Sequence, residues 1–407
     1  MSAAIHTLPF ANRRVRPGET PEVRDYVNRA EKAAKIAEQF AAAVDRDSRF
    51  PQEAFEAIRE QRLLGMLIPT ELGGGGCRAA DVADVCAILG AACSSTGMIF
   101  AMHQVKVACL VRHDRNNVWL RSFLKDAARE QWLLASSTTE GGNGADIRNS
   151  EAAVKLAGAR VRLERDASVI SYGANADAIV TTARRADAAA SSDQVLAVFR
   201  KSDYTLEKTK SWDTLGMRGT CSVGYLLRAE GDADQVLTEP YERIHNQTMM
   251  PYAHLFWAST WQGIASGAFR RARAFVRQAS RASGGRMPPG APHLTRARVT
   301  LETLRGAIQA GLSTFERNAA EPGGLTSMNA QLALNFLKVE ASELAATTVM
   351  SAMRACGLSG YRNDSDYAMG RFLRDILSAP IMIHNDRILS NSEAAVLMSE
   401  PPLFVAM

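Results

Sequence analysis

No apolar run in the 407 residues approaches the ~18 that a membrane-spanning helix needs, and the first residues lack the apolar core of a signal peptide. The sequence therefore reads as a cytoplasmic protein with no membrane partner. Six cysteines, at positions 77, 86, 93, 109, 221 and 356, show neither CxxC pairing nor metal-ligand spacing with histidine. A disulfide framework and a recognisable metal site are both excluded on that ground. The formal charge of +5 is thin over this length, and no dense Lys/Arg run carries interleaved aromatics, so nucleic acid is not an expected partner. A four-glycine run, Gly73 to Gly76, has no P-loop lysine behind it and reads as a flexible connection. What is present is ordinary for a globular chain: 46% hydrophobic and 22% charged residues, enough for two or three domains around a large core.

Periodicity divides the chain into three parts. After an irregular arm to about residue 19, Thr20 and Pro21 resemble a helix start, and Val23, Tyr26, Ala30, Ala33, Ala37, Phe40 and Val44 recur at steps of three and four. Further helices are predicted from Pro51 to about Arg62, over 79 to 92, and over 95 to 112, the last carrying Met98, Met102 and His103. The pattern then changes. Val154, Leu156, Val161 and Leu163 alternate with charged residues about a small-residue break, which predicts a hairpin, and strands follow near 178 to 182, 195 to 200 and 223 to 228. Beyond about 240 the helical period returns, with long helices predicted over 296 to 318 and 327 to 355 and a Gly/Pro-rich loop from Ser280 to Pro292. Helices, then strands, then helices indicate an α+β protein of segregated layers, with parts at 1–130, 131–237 and 238–407.

One stretch concentrates polar backbone and hydroxyl groups. Leu134 to Asp146, LASSTTEGGNGAD, passes through four consecutive hydroxyl residues into glycines at 141, 142 and 144. Glycines there let a polar planar ligand or a phosphate approach the backbone, although such turns also occur without a ligand.

Four motifs in order resemble the acyl-CoA dehydrogenase superfamily over nearly the whole chain. They are PTELGGGG at 69–76, TEGGNGAD at 139–146, LGMRGTCS at 215–222 and GYRNDSDYAMGRFLRD at 360–375. The resemblance implies an N-terminal helical domain, a central β domain and a C-terminal four-helix bundle, with FAD between them and self-association as a homotetramer or homodimer. Its chemistry is α,β-dehydrogenation of an acyl thioester carried by coenzyme A or a carrier protein. A carboxylate takes the α-proton while hydride leaves for the flavin. By motif position, Thr139 and Gly144 fall at the flavin and Ser171 falls where the family has Trp-x-Thr. The hydroxyls of Ser136 and Thr138 suit the flavin beside Thr139, and RASGGRMPPG at 281–290 replaces the family's Gln/Arg-Phe-Gly element, leaving Arg281 or Arg286 to pair with cofactor phosphate.

The base departs from the family pattern. Counting from Arg374 and Asp375, the usual glutamate falls on Ile383; the alternative position on the first long bundle helix is Ala253. Neither can accept a proton. His254, His384 and Asp386 stand beside these positions as candidate bases, His254 first because it projects from a rigid helix. A lone histidine in an apolar helix is also often a satisfied core group, and Asp386 also suits pairing with Arg387 or capping a helix. The main expectation is an FAD-dependent dehydrogenase with a non-standard base. The alternative is a flavin-dependent oxygenase on the same scaffold, since loss of the base and of the ring-packing tryptophan, replaced by Val169, suits chemistry with oxygen. A binding subunit that kept the fold and lost activity is a third reading. Met98, Met102, His103, Trp257 and Trp261 are expected to shape the cavity.

Overall fold

The computed structural model describes residues 21–114, 116–141 and 147–400, with side chains from residue 25 onward. Helix α1 (Pro21–Arg46) buries Ala30, Ala33, Ala34, Ala37, Ala41 and Val44, the small apolar stripe its periodicity predicts. Helices α2 (Gln52–Glu60), α3 (Ala79–Ala92) and α4 (Ser94–Arg112) follow close to their predicted bounds. A fifth helix, α5 (Val118–Glu130), was not foreseen; the Asn117 side chain caps it by accepting from the Leu120 amide.

Gly73 to Gly76 do not form a loose connection. Gly73 is left-handed at φ 81°, while a Cβ on Gly74 would lie 2.1 Å from the Ile68 carbonyl and one on Gly75 would lie 2.4 Å from the Tyr26 hydroxyl. The run is a tightly packed turn, and its glycines are there for space.

Among the described residues, seven strands make two sheets. Strands β1 (Leu134–Ser137), β4 (Ala178–Arg184) and β5 (Gln194–Arg200) form one, with β1 parallel and β5 antiparallel to the central β4. Strands β2 (Lys155–Ala157), β3 (Arg160–Ile170), β7 (Val223–Asp232) and β6 (Tyr204–Lys210) form the other in that spatial order, all antiparallel. The hairpin of β2 and β3 closes on Gly158 and Ala159 as its alternation predicts. Strands β1 and β6 had no period-two signal: β1 is four residues long and mostly buried, and β6 carries Glu and Lys along its exposed side.

The third part begins with one continuous helix whose pitch changes. The short helix α6 (Tyr241–Ile244) runs through a π-turn at His245–Met249 into α7 (Met250–Ala282). Pro251 explains the widened turn, because its ring would clash with a regular carbonyl one turn earlier and it has no N–H to give. Helices α8 (Ala291–Ala319) and α9 (Met328–Cys356) pack with α7 as the bundle. The chain then makes the short helices α10 (Leu358–Tyr361), α11 (Gly370–Ile376) and α12 (Ser378–Ile381) before α13 (Asn385–Met398), which lies on α9. Small residues let α3 and α7 touch backbone to backbone: a Cβ on Gly263 would lie 2.2 Å from the Ala87 carbonyl, and one on Gly267 2.6 Å from that of Ala91. This seam joins the first part of the chain to the bundle.

Candidate active site

The first helices, the sheets and the bundle meet around a cavity of about 680 Å³. Helix α4 lends one face, with Met98, Met102, Val105 and Lys106 spaced at helical intervals. The π-turn and start of α7 supply His245, Met249, Met250, Ala253, His254 and Trp257. A further wall comes from residues 212–222, and the roof from α12 and the turn after it. Of the five residues expected to shape the cavity, Met98, Met102 and Trp257 line it and the other two do not. His103 is 1% exposed, with Nε2 on the Leu64 carbonyl at 2.9 Å and Nδ1 accepting from the Leu134 amide at 3.0 Å. It ties α4 to β1. Trp261 is wholly buried in the bundle.

One wall of the cavity is built of hydroxyls. Ser136, Thr138, Thr139 and Ser171 all line it, so the structure brings together four of the six residues expected at the cofactor. Gly144 lies outside the described residues. Ser168 donates to Thr139 Oγ1 at 3.2 Å. Thr220 Oγ1 donates to the Met217 carbonyl at 2.8 Å, and Ser222 lies 2.8 Å from both Thr220 and Ser171. Each hydroxyl has one proton, so the carbonyl at the end fixes the direction of the chain. Ser171 donates to Ser222, Ser222 to Thr220, and Ser171 is left with lone pairs toward the cavity.

Glu140, next in the sequence, turns inward. It is 4% exposed and meets Arg165, at an inward position of β3, at 3.0 Å. Its carboxylate also accepts from Ser150 Oγ at 3.1 Å and from the amides of Glu151 and Ala152 at 2.5 and 3.2 Å. Burial lowers the Arg165 guanidinium from its ordinary value to about 10, with Glu140 opposing that shift. The pair fixes the floor beneath the hydroxyl wall.

Both positions at which the resemblance places a base, Ala253 and Ile383, line the cavity. His254 lines it too, but as a neutral ring. Its Nδ1 donates to the Leu334 carbonyl at 3.1 Å, Nε2 has no protein partner, and burial lowers its pKa to about 3. Such a ring is a hydrogen-bond acceptor and a poor proton acceptor at neutral pH. His384 lines the roof with φ of 52°, next to Ile383 at the same value. A β-branched residue rarely tolerates that region, so the roof turn is held under strain by what flanks it. Lys338 of α9 is the clamp: its Nζ donates to the Ala379 carbonyl at 3.2 Å and to Asn385 Oδ1 at 2.6 Å, one on each side of the turn. Asp386 and Arg281 are not brought to the cavity. Asp386 is exposed in the first turn of α13, where free amides favour a carboxylate, and Arg281 is exposed in the last turn of α7.

Two family models match most of the chain: acyl-CoA dehydrogenase, N-terminal domain, over residues 20–148, and acyl-CoA dehydrogenase, C-terminal domain, over residues 247–392. The chain belongs to the acyl-CoA dehydrogenase family. It is a flavoenzyme of that family's fold. Among curated proteins it is 25% identical over 331 residues to the probable FMNH2-dependent monooxygenase SfnC of Pseudomonas putida, covering 76% of this chain and 80% of that protein. It is 24% identical over 382 residues to the amino sugar nitrososynthase DnmZ of Streptomyces peucetius, covering 89% and 90%. Among solved structures, FMN-bound TdsC from Paenibacillus sp. A11-2 superposes with a TM-score of 0.80 at 20% identity, over 93% of this chain and 98% of that one.

Against the acyl-CoA dehydrogenase pattern, several site features lay beyond sequence reasoning. The family's Leu-Gly-x-Arg and Arg-Asp motifs prove to be one joint: Asp375, buried in α11, accepts from the Met217 amide at 2.7 Å, and a Cβ on Gly216 would lie 2.1 Å from the Arg374 carbonyl. Arg374 pairs with Asp45 of α1, whose carbonyl accepts from Arg218 at 2.8 Å. The joint sets the 212–222 wall. Lys106, Trp212, His245 and Arg387 also line the cavity without having been singled out. For Lys106 the signal was there, a single charge in the apolar run from Met98 to Leu110. No Asp or Glu is among the described residues that line the cavity.

Proposed function

We propose that this chain is a flavin-dependent monooxygenase, which takes up flavin already reduced and oxygenates a small organic substrate. The observation that carries the reading is that no carboxylate is among the described residues lining the cavity. Abstraction of an α-proton needs a base within reach; Ala253 and Ile383, where the resemblance places one, cannot accept a proton, and burial lowers the pKa of His254 to about 3. The likeness to an FMNH2-dependent monooxygenase and to a nitrososynthase supports it.

The residues present suit an isoalloxazine ring: a hydroxyl wall on one side, and Met98, Met102, Val169 and Trp257 on others. Reduced flavin, when bound, would supply the electrons that activate oxygen. The protein's part would be positional. Ser136, Thr138 and Thr139 would hold the ring's polar edge. Ser171, its proton committed to Ser222, would receive an N–H and not give one. The methionines would keep water from the reacting centre. We assign FMN in preference to the expected FAD, on the likeness to the probable FMNH2-dependent monooxygenase.

The test is anaerobic. Protein saturated with oxidised flavin is mixed with candidate acyl thioesters, and absorbance near 450 nm is followed. The reading predicts no bleaching until NADH and a flavin reductase are added, and an oxygen-labelled product once labelled O2 enters. Bleaching by a thioester alone would overturn it. Chromatography of the released flavin decides between FMN and FAD.

A further inference from the structure

Two lysines of this molecule are buried, and their surroundings differ. Lys338 has a carbonyl, an amide oxygen and the nearby Glu343 carboxylate around its ammonium. Lys106, on α4, is 4% exposed and lines the cavity, yet the bond recorded for its Nζ is a 3.4 Å contact with Met249 Sδ. That sulfur is also the acceptor of the Tyr241 hydroxyl at 3.3 Å. A thioether is a weak acceptor, and an ammonium has three protons to place. The rest of the wall adds no countercharge. Among the described lining residues the charged groups are Lys106, Arg374 and Arg387, with three histidines and no carboxylate. Arg374 is already paired with Asp45, and Lys106 has no carboxylate partner among the described residues.

Burying an ammonium without an anion is costly, and a packed helix face would hold a methionine or leucine there at no such cost. His103, three residues earlier on the same helix, is satisfied at both ring nitrogens by backbone, which is what a structural polar group in α4 looks like. Lys106 points instead into the space shared with Met98, Met102 and Met249.

We propose that Lys106 is a substrate-binding residue that receives an anionic head group, a carboxylate, sulfinate or sulfonate, on a substrate whose body is apolar. The head group supplies the missing countercharge; the methionines and Trp257 receive the body. This builds on the oxygenase reading by naming its substrate class, and its test is binding, which needs no turnover.

Isothermal titration of the FMN-saturated protein with hexanoate, hexane-1-sulfonate and hexanamide separates charge from shape. Wild type is expected to bind at least one of the anions about tenfold or more tightly than the amide, the span of a charge-assisted hydrogen bond. The ratio between the two anions identifies the head group. Lys106→Met keeps length and apolar volume, and is expected to bind all three alike; Lys106→Arg is expected to restore the preference. Equal affinity of wild type for the three probes would overturn the proposal without recourse to any variant. So would a preference that survives in a Lys106→Met protein of unchanged melting temperature. If anion preference holds but no oxygenated product forms with reductase and O2, the oxygenase reading fails and the anion site stands.

Discussion

At the scale of single residues, burial decides what the ionisable groups of this site can do. His103 and His254 are held neutral by desolvation, at about 4 and about 3, against an ordinary value of 6.5. Their folded values are depressed, so between pH 6.5 and about 4 the unfolded chain binds protons that these rings refuse. Stability from them is complete above pH 6.5 and is lost as pH falls. Each ring is expected to cost about 2 kcal/mol of stability at pH 5 relative to pH 7.5. Urea titrations across that range measure the slope, and His254→Gln should reduce it; an unchanged slope would mean that the ring takes up its proton while folded.

The vacancy of the base was legible through the family resemblance, which places the base at Ala253 or Ile383. The hydroxyl wall was legible because Ser136, Thr138 and Thr139 are adjacent in the chain. Ser222 was not: it acquires its role from Ser171, 51 residues away in the chain. Nothing local to Glu140 reveals that Arg165 reaches it across the sheet.

Among the elements, long periodic helices declared themselves and short or tightly packed pieces did not. Strand β1 has four residues, too few for alternation to register, and takes its place from parallel pairing with β4 some forty residues later. The glycines at 73–76 look the same in sequence whether they give freedom or room, and only the contacts with Ile68 and Tyr26 tell which. The crossing of α3 and α7 makes the same point with a measurable consequence. Gly263→Ala puts a methyl carbon 2.2 Å from the Ala87 carbonyl, so the helices must part. Overpacking of this kind costs about 1–3 kcal/mol. A fall of several degrees in melting temperature is expected, while Gly306→Ala, which meets nothing within 4 Å, should leave it level or raise it. Equal effects of the two would remove the seam as a stabilising contact.

Taken whole, the molecule places its cavity where three differently built parts meet, so none of them holds the site alone. It also leaves apolar side chains on its surface near the end of the chain. Leu358 and Tyr361 of α10 are 70% and 76% exposed, and Leu397 of α13 is 89% exposed. Side chains of this kind in numbers mark a surface used by a partner. Self-association as a dimer or tetramer is the expected outcome, read by light scattering as a multiple of the 44.1 kDa chain mass. A monomer at micromolar concentration would be the contrary result, and a Leu358→Glu, Leu397→Glu variant is expected to shift the mass downward.

The seam between α3 and α7 also sets how this enzyme can diversify. A helix whose main chain rests on another's has nowhere to retreat, and α7 carries one side of the cavity. New substrates cannot be accommodated by moving that wall outward. They must be admitted by trimming or exchanging the methionines at 98, 102 and 250, a repertoire of side chains on a fixed frame. Variants selected for bulkier substrates should therefore accumulate changes at those positions and leave Gly263 and Gly267 untouched.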